Sequence, residues 1–126
     1  MEGKKILIIE DDRFLGDLLA SHLKKSGFDV DLAPEAKTGL EKIRESLPSL
    51  LILDLLLPDI SGFEVLETLK NEKIVPGLPV MILSNLGQKA EIERAMSLGA
   101  SDFLIKAHFD LDGITSKVKQ TLEPAH

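Results

Sequence analysis

The chain has 126 residues, 44% hydrophobic and 29% charged, which is the balance of one globular domain rather than of a disordered segment. It contains no cysteine, which excludes disulfide scaffolds, thiolate metal sites and cysteine nucleophiles. With 15 basic and 21 acidic residues the formal charge is −6 and no basic stripe is visible, which argues against direct nucleic-acid binding by this chain.

Taken in chain order, the start Met1-Glu2-Gly3-Lys4-Lys5 leads into a short apolar run, Ile6–Ile9, too brief for a signal peptide. No apolar run approaches the ~20 residues of a membrane span, so a soluble, cytoplasmic domain is expected. Ile6–Ile9 is apolar without alternation, the pattern of a strand covered on both faces. Leu15, Leu18, Leu19 and Leu23 follow at the helical period, and Gly27 stands where a glycine ends a helix. Phe28–Leu32 alternates with Asp29 and Asp31, as a half-solvated edge strand does. Ala36, Leu40, Ile43 and Leu47 mark a second helix; Leu50–Leu53 is a second doubly covered strand. Ser61 is placed to cap a third helix carrying Phe63, Leu66 and Leu69. Val80–Leu83 is again uniformly apolar, and Ile92, Ala95 and Met96 share one face of a fourth helix that ends at Gly99. Phe103–Ile105 is the last strand, and Leu111, Ile114, Val118 and Leu122 define a fifth helix stopped by Pro124. No repeat or linker interrupts the pattern, and residues 1–126 are read as one domain. Strict alternation predicts an α/β fold, a single doubly wound five-stranded parallel sheet with five helices.

In such sheets, sites form beyond the carboxyl ends of the strands where the strand order reverses. The first strand ends in Glu10-Asp11-Asp12, the third in Asp54, the fourth in Ser84 and the fifth in Lys106, whereas the presumed edge strand ends in Ala33-Pro34. With the order 2-1-3-4-5, Glu10, Asp11 and Asp54 converge, and Ser84 and Lys106 approach from the neighbouring strand ends. Each residue alone has an ordinary explanation as a cap or a solvated surface group, and Asp12 is read as the N-cap of the first helix or an outer member of the acidic cluster. The set is what carries weight, because every interior strand ends in reactive chemistry. Clustered carboxylates repel, so either some are protonated or a cation sits among them. Oxygen ligands without His or Cys favour a hard divalent ion, with Mg²⁺ the natural choice. A cation, an ammonium and a hydroxyl around one Asp suit phosphoryl transfer, and an Asp can itself be the nucleophile.

The sequence resembles a response regulator receiver domain of two-component signalling, over about Lys4 to Leu122. The likeness rests on Ile6-Leu7-Ile8-Ile9-Glu10-Asp11-Asp12, Leu53-Asp54 through Pro58 to Gly62, Ile82-Leu83-Ser84 and Gly99-Ala100-Ser101-Asp102-Phe103-Leu104-Ile105-Lys106. It implies a flavodoxin-like fold of order 2-1-3-4-5 and a phosphoryl group taken by Asp54 from a histidine kinase or phosphotransfer protein. Asp11 and Asp54 would ligate Mg²⁺ together with the backbone carbonyl of Leu56, and Glu10 would do so through water. Ser84 would hydrogen-bond the phosphoryl group and Lys106 would pair with it. Ser84 and Phe103 would form the switch, unless Phe103 is simply a strand residue half buried against the fourth helix. The surface of helix four, strand five and helix five would signal to a downstream protein target or an attached output domain, and a homodimer on activation is compatible with this.

The module would catalyse its own phosphorylation and dephosphorylation without being a metabolic enzyme. Four positions depart from the usual pattern: Ala107 replaces a proline, Asn85 a smaller residue, and Leu56 and Leu86 are apolar where phosphoryl lifetime is often tuned. Without proline, a trans Lys106–Ala107 bond is expected. Three rivals fit less well. An aspartyl-phosphate hydrolase would carry a second carboxylate at Leu56, and a nucleotide or flavin binder would need a phosphate loop where Glu10-Asp11-Asp12-Arg13 repels phosphate. A degenerate, interaction-only receiver is disfavoured by the intact site set.

Overall fold

Each apolar run becomes a strand and each periodic stretch a helix in the computed structural model, which describes residues 4–85, 87–108 and 110–123. The strands are β1 (Lys5–Ile9), β2 (Asp29–Ala33), β3 (Leu50–Leu53), β4 (Val80–Ser84) and β5 (Asp102–Ile105). The helices are α1 (Arg13–Lys25), α2 (Ala36–Glu45), α3 (Gly62–Asn71), α4 (Lys89–Ser97) and α5 (Leu111–Leu122), with a short 3₁₀ turn at Lys106–His108. All pairings are parallel and the order is β2-β1-β3-β4-β5.

Because successive strand residues point to opposite faces, each central strand feeds two cores. Leu7, Ile9, Leu51, Leu53, Val80 and Ile82 pack with residues of α2, α3 and α4. Ile6, Ile8, Leu50, Ile52, Met81 and Leu83 pack with Leu19, Leu23, Ile114 and Val118 of α1 and α5. This double burial is why β1, β3 and β4 read as unbroken apolar runs.

Local signals operate as the sequence implies. Asp12 caps α1 by accepting from the Leu15 N–H, and Ser61 caps α3 by accepting from Glu64. Gly27 and Gly99 end α1 and α4 at positive φ, 101° and 106°. Several details differ from the sequence reading. β2 runs one residue later than Phe28–Leu32; Phe28 is buried but precedes the strand, and Ala33 extends it. Leu47 lies beyond the end of α2 and is 61% exposed, while Leu18 and Met96, placed on helical stripes, also face solvent. The correct reading of β5 is as the second edge of the sheet, so Lys106 leaves an edge strand rather than an interior one. Pro124, Leu86 and the first three residues lie outside the described residues.

Candidate functional site

Register brings the polar residues together. Ile9 of β1 lies opposite Leu53 of β3, so the next residues, Glu10 and Asp54, emerge side by side at the carboxyl edge. Backbone bonds continue the ladder one step further: Asp54 N–H donates to the Ile9 carbonyl at 3.0 Å, and Glu10 N–H to Ala33 at 3.0 Å. Ser84 ends β4 opposite Ile105 of β5, and Lys106 follows directly.

Asp54 is 3% exposed and Glu10 6%. Lys106 reaches across 52 positions of sequence to place Nζ 3.0 Å from Asp54 Oδ2 and 2.7 Å from Glu10 Oε1. The second Asp54 oxygen accepts from the Leu56 N–H at 3.2 Å, and Glu10 Oε2 from the Asp12 N–H at 3.1 Å. Toward Glu10 Oε1 the ammonium makes a close, buried ion pair. Asp11 is exposed at the rim, and one carboxylate oxygen each from Glu10, Asp11 and Asp54 lie within 4.8 Å of one another.

Charges packed this way cannot all ionise freely. Burial pushes the Glu10 carboxyl up from 4.5 to about 7; Lys106 and the Asp12 N–H pull it down, while Asp54 pushes it up further. Burial acts to lower Lys106, but its two carboxylate partners outweigh this and hold the ammonium above its ordinary value. The donor set fits a hard divalent cation: three carboxylates whose oxygens converge, with no His or Cys among them.

The backbone of the loop after β3 is packed tightly against the start of α3. A Cβ at Gly62 would lie 2.5 Å from the Asp54 carbonyl oxygen and 2.7 Å from Leu55 Cα, so only glycine lets α3 start this close. Gly62 N–H also donates to the Leu55 carbonyl at 2.9 Å. Leu56 is 56% exposed beside this loop. Ser84 is fully buried at the strand end. Phe103 is half-buried and packs on the core formed with α2, α3 and α4. Among the described residues the one cis peptide is Val75–Pro76, so Lys106–Ala107 is trans, and Lys106 still reaches Asp54.

The structure therefore brings together Glu10, Asp11, Asp54 and Lys106, with Leu56 alongside. Ser84 and Phe103 stand on the adjoining strands. Sequence reasoning missed the direct Glu10–Lys106 pair, which spacing alone does not signal.

A family model, that of the response regulator receiver domain, matches residues 6–119. The chain belongs to the response regulator receiver family. This receiver is 34% identical over 121 residues to the phosphate regulon transcriptional regulatory protein PhoB of Rhizobium meliloti, an alignment covering 96% of this chain and 53% of that one. It is 31% identical over 120 residues to the alkaline phosphatase synthesis transcriptional regulatory protein PhoP of Bacillus subtilis, covering 95% and 49%. The receiver thus spans about half the length of the curated relatives it matches. Among solved structures it resembles a CheY-like receiver domain protein from Methanospirillum hungatei, with TM-score 0.86, 29% identity and coverage of 94% and 93%. A two-component response regulator from Clostridium difficile superposes with TM-score 0.87 at 28% identity, covering 94% and 95%. Among the described residues no helix is long and apolar enough to cross a membrane.

Proposed function

We propose that residues 1–126 form one receiver domain that accepts a phosphoryl group on Asp54 from a histidine kinase or phosphotransfer protein. The observation that carries this reading is a buried Asp54 carboxylate 3.0 Å from the Lys106 ammonium, inside a group of three acids whose oxygens lie within 4.8 Å. Asp54 attacks phosphorus through a carboxylate oxygen, the bond from phosphorus to the donor imidazole nitrogen breaks, and that nitrogen keeps the electron pair. Lys106 offsets negative charge at the acceptor, and the Ser84 hydroxyl donates to a phosphoryl oxygen. Asp11, Asp54 and the Leu56 carbonyl are the residues that would hold Mg²⁺ directly, with Glu10 acting through water. When bound, the ion neutralises charge on the carboxylates and on the transferring group. Attack by water on the same phosphorus reverses the modification.

Ser84 and Phe103 carry the change to the face of α4, β5 and α5, where a downstream protein or an attached output domain reads it. The relatives are named as transcriptional regulators, which supports an attached output domain. A cytoplasmic location and homodimerisation on activation belong to the same reading. The hydrolase alternative lacks its second carboxylate, because Leu56 stands there.

Incubating the chain with acetyl phosphate, in Mg²⁺ or in a chelator, and measuring intact mass tests the reaction. A single phosphoryl adduct that requires the cation supports it. No adduct in Mg²⁺, or equal labelling in the chelator, overturns it.

A further inference from the structure

The loop that joins the acceptor strand to α3 is tied to a helix it does not belong to. α2 begins without a cap of its own: Glu35 holds the N-cap position with no side-chain hydrogen bond. The missing acceptor comes from Asp59, more than twenty residues along the chain. Its Oδ1 accepts from the Ala36 N–H at 3.0 Å, and its Oδ2 from the Lys37 N–H at 2.9 Å. Both oxygens are thus spent on the first backbone donors of α2, the groups that a helix cannot satisfy internally. Burial acts to raise the Asp59 carboxyl, but the backbone N–H groups around it together outweigh this and hold it below its ordinary value.

What the tie joins gives it a function. On one side, Leu57 and Ile60 flank Pro58-Asp59 and pack on the core, and Gly62 packs against the Asp54–Leu55 backbone, so both ends of the Asp54–Gly62 segment are anchored. That segment includes Leu56, whose N–H donates to Asp54. On the other side, α2 sits directly on β1, because Gly39 packs against the Ile9 side chain and Ala36 is fully buried. Ile9 immediately precedes Glu10. Asp59 therefore bridges the chain segment that carries Asp54 and Leu56 to the helix seated beneath the segment that carries Glu10 and Asp11.

We infer that Asp59 is a positioning residue of the acceptor site, fixing the Asp54–Gly62 loop against α2 so that Leu56 and the acidic cluster keep their spacing. This rests on the phospho-acceptor reading only for its consequence in transfer. The geometry itself is testable without labelling.

The test uses the whole chain, ¹⁵N-labelled, as parent, Asp59→Ala, Asp59→Asn and Ile43→Val. Ile43 is buried near the far end of α2, so Ile43→Val loosens that helix without touching the tie. Three quantities are read: exchange of the Leu56 amide without metal, the Mg²⁺ dissociation constant, and the rate of labelling by acetyl phosphate. Asp59→Ala should speed Leu56 exchange several-fold beyond its effect on the sheet amides, weaken Mg²⁺ several-fold and slow labelling in proportion. Asp59→Asn, which keeps one acceptor oxygen, should lie between it and the parent. Unchanged Leu56 exchange in Asp59→Ala, or the same response from Ile43→Val at an equal loss of melting temperature, overturns the inference. A parent that never labels while Leu56 exchange and Mg²⁺ affinity still follow Asp59 refutes the acceptor reading and upholds the positioning role.

Discussion

Raising the pH of the metal-free receiver from about 5 to about 8 should destabilise it, and the reason lies in Glu10. Burial lifts this carboxyl from 4.5 to about 7 in the folded chain. Between those values the folded state binds a proton that the unfolded state has released, so unfolding becomes easier as the pH climbs. The associated stability is fully present below 4.5 and lost as the pH passes 7. At about 1.36 kcal/mol per pH unit, the interval corresponds to at most on the order of 3 kcal/mol. That is a large share of the roughly 5–15 kcal/mol of an ordinary domain, and amounts to a fall of roughly 10 °C in melting temperature. Asp31, Asp59 and Glu72 are held below their ordinary values, so their contributions are complete above the ordinary carboxylate range and stay flat in this window. The chain has no Trp or Tyr, so unfolding in a chelator is followed by circular dichroism. Histidine side chains in general change charge in the same range, and Glu10→Gln, which leaves all of them in place, is the control. Stability that stays level or rises over the window, or a slope that persists unchanged in Glu10→Gln, refutes the reasoning.

Mg²⁺ should stabilise the parent by about 1.4 kcal/mol for each tenfold excess over its dissociation constant, and Asp11→Asn should remove most of that gain. A melting temperature indifferent to millimolar Mg²⁺ contradicts a metal site at Glu10, Asp11 and Asp54. Gly62→Ala forces backbone to move beside the Asp54 carbonyl, so it should cost roughly 1–3 kcal/mol and slow labelling, both measurable on one preparation. Leu56→Asn should shorten the phosphoryl lifetime, because an exposed leucine two residues from Asp54 offers an incoming water no hydrogen-bond partner; an equal or longer lifetime, followed by loss of the adduct mass, speaks against that.

The layers of this fold were legible because the chemistry of burial is written in strand composition. Leu50–Leu53 and Val80–Leu83 are apolar throughout only because both their faces are covered. The acidic cluster was legible for a related reason: its members directly follow strand ends that topology forces together. Periodicity was less informative about helix margins. Leu18 and Met96 share a stripe with buried residues, yet a stripe is wider than the contact it serves, and Leu47 belongs to no helix at all. The Glu10–Lys106 pair and the Asp59 cap on α2 were not legible, since both join residues far apart in sequence through side-chain reach rather than local pattern. Lys106 kept its partner despite Ala107 because β4 holds the end of β5 in register.

Asp54→Asn tests most directly whether Asp54 is the acceptor. The amide preserves size and packing but is a poor nucleophile. Parent and variant are treated side by side with acetyl phosphate and Mg²⁺, checked for equal folding by circular dichroism, and compared by intact mass and by mapping of the modified peptide. One phosphoryl group on the peptide containing Asp54 in the parent, and none in Asp54→Asn, is the predicted result. Undiminished labelling of Asp54→Asn, with an adduct stable to acid, would contradict it and place the acceptor at another residue.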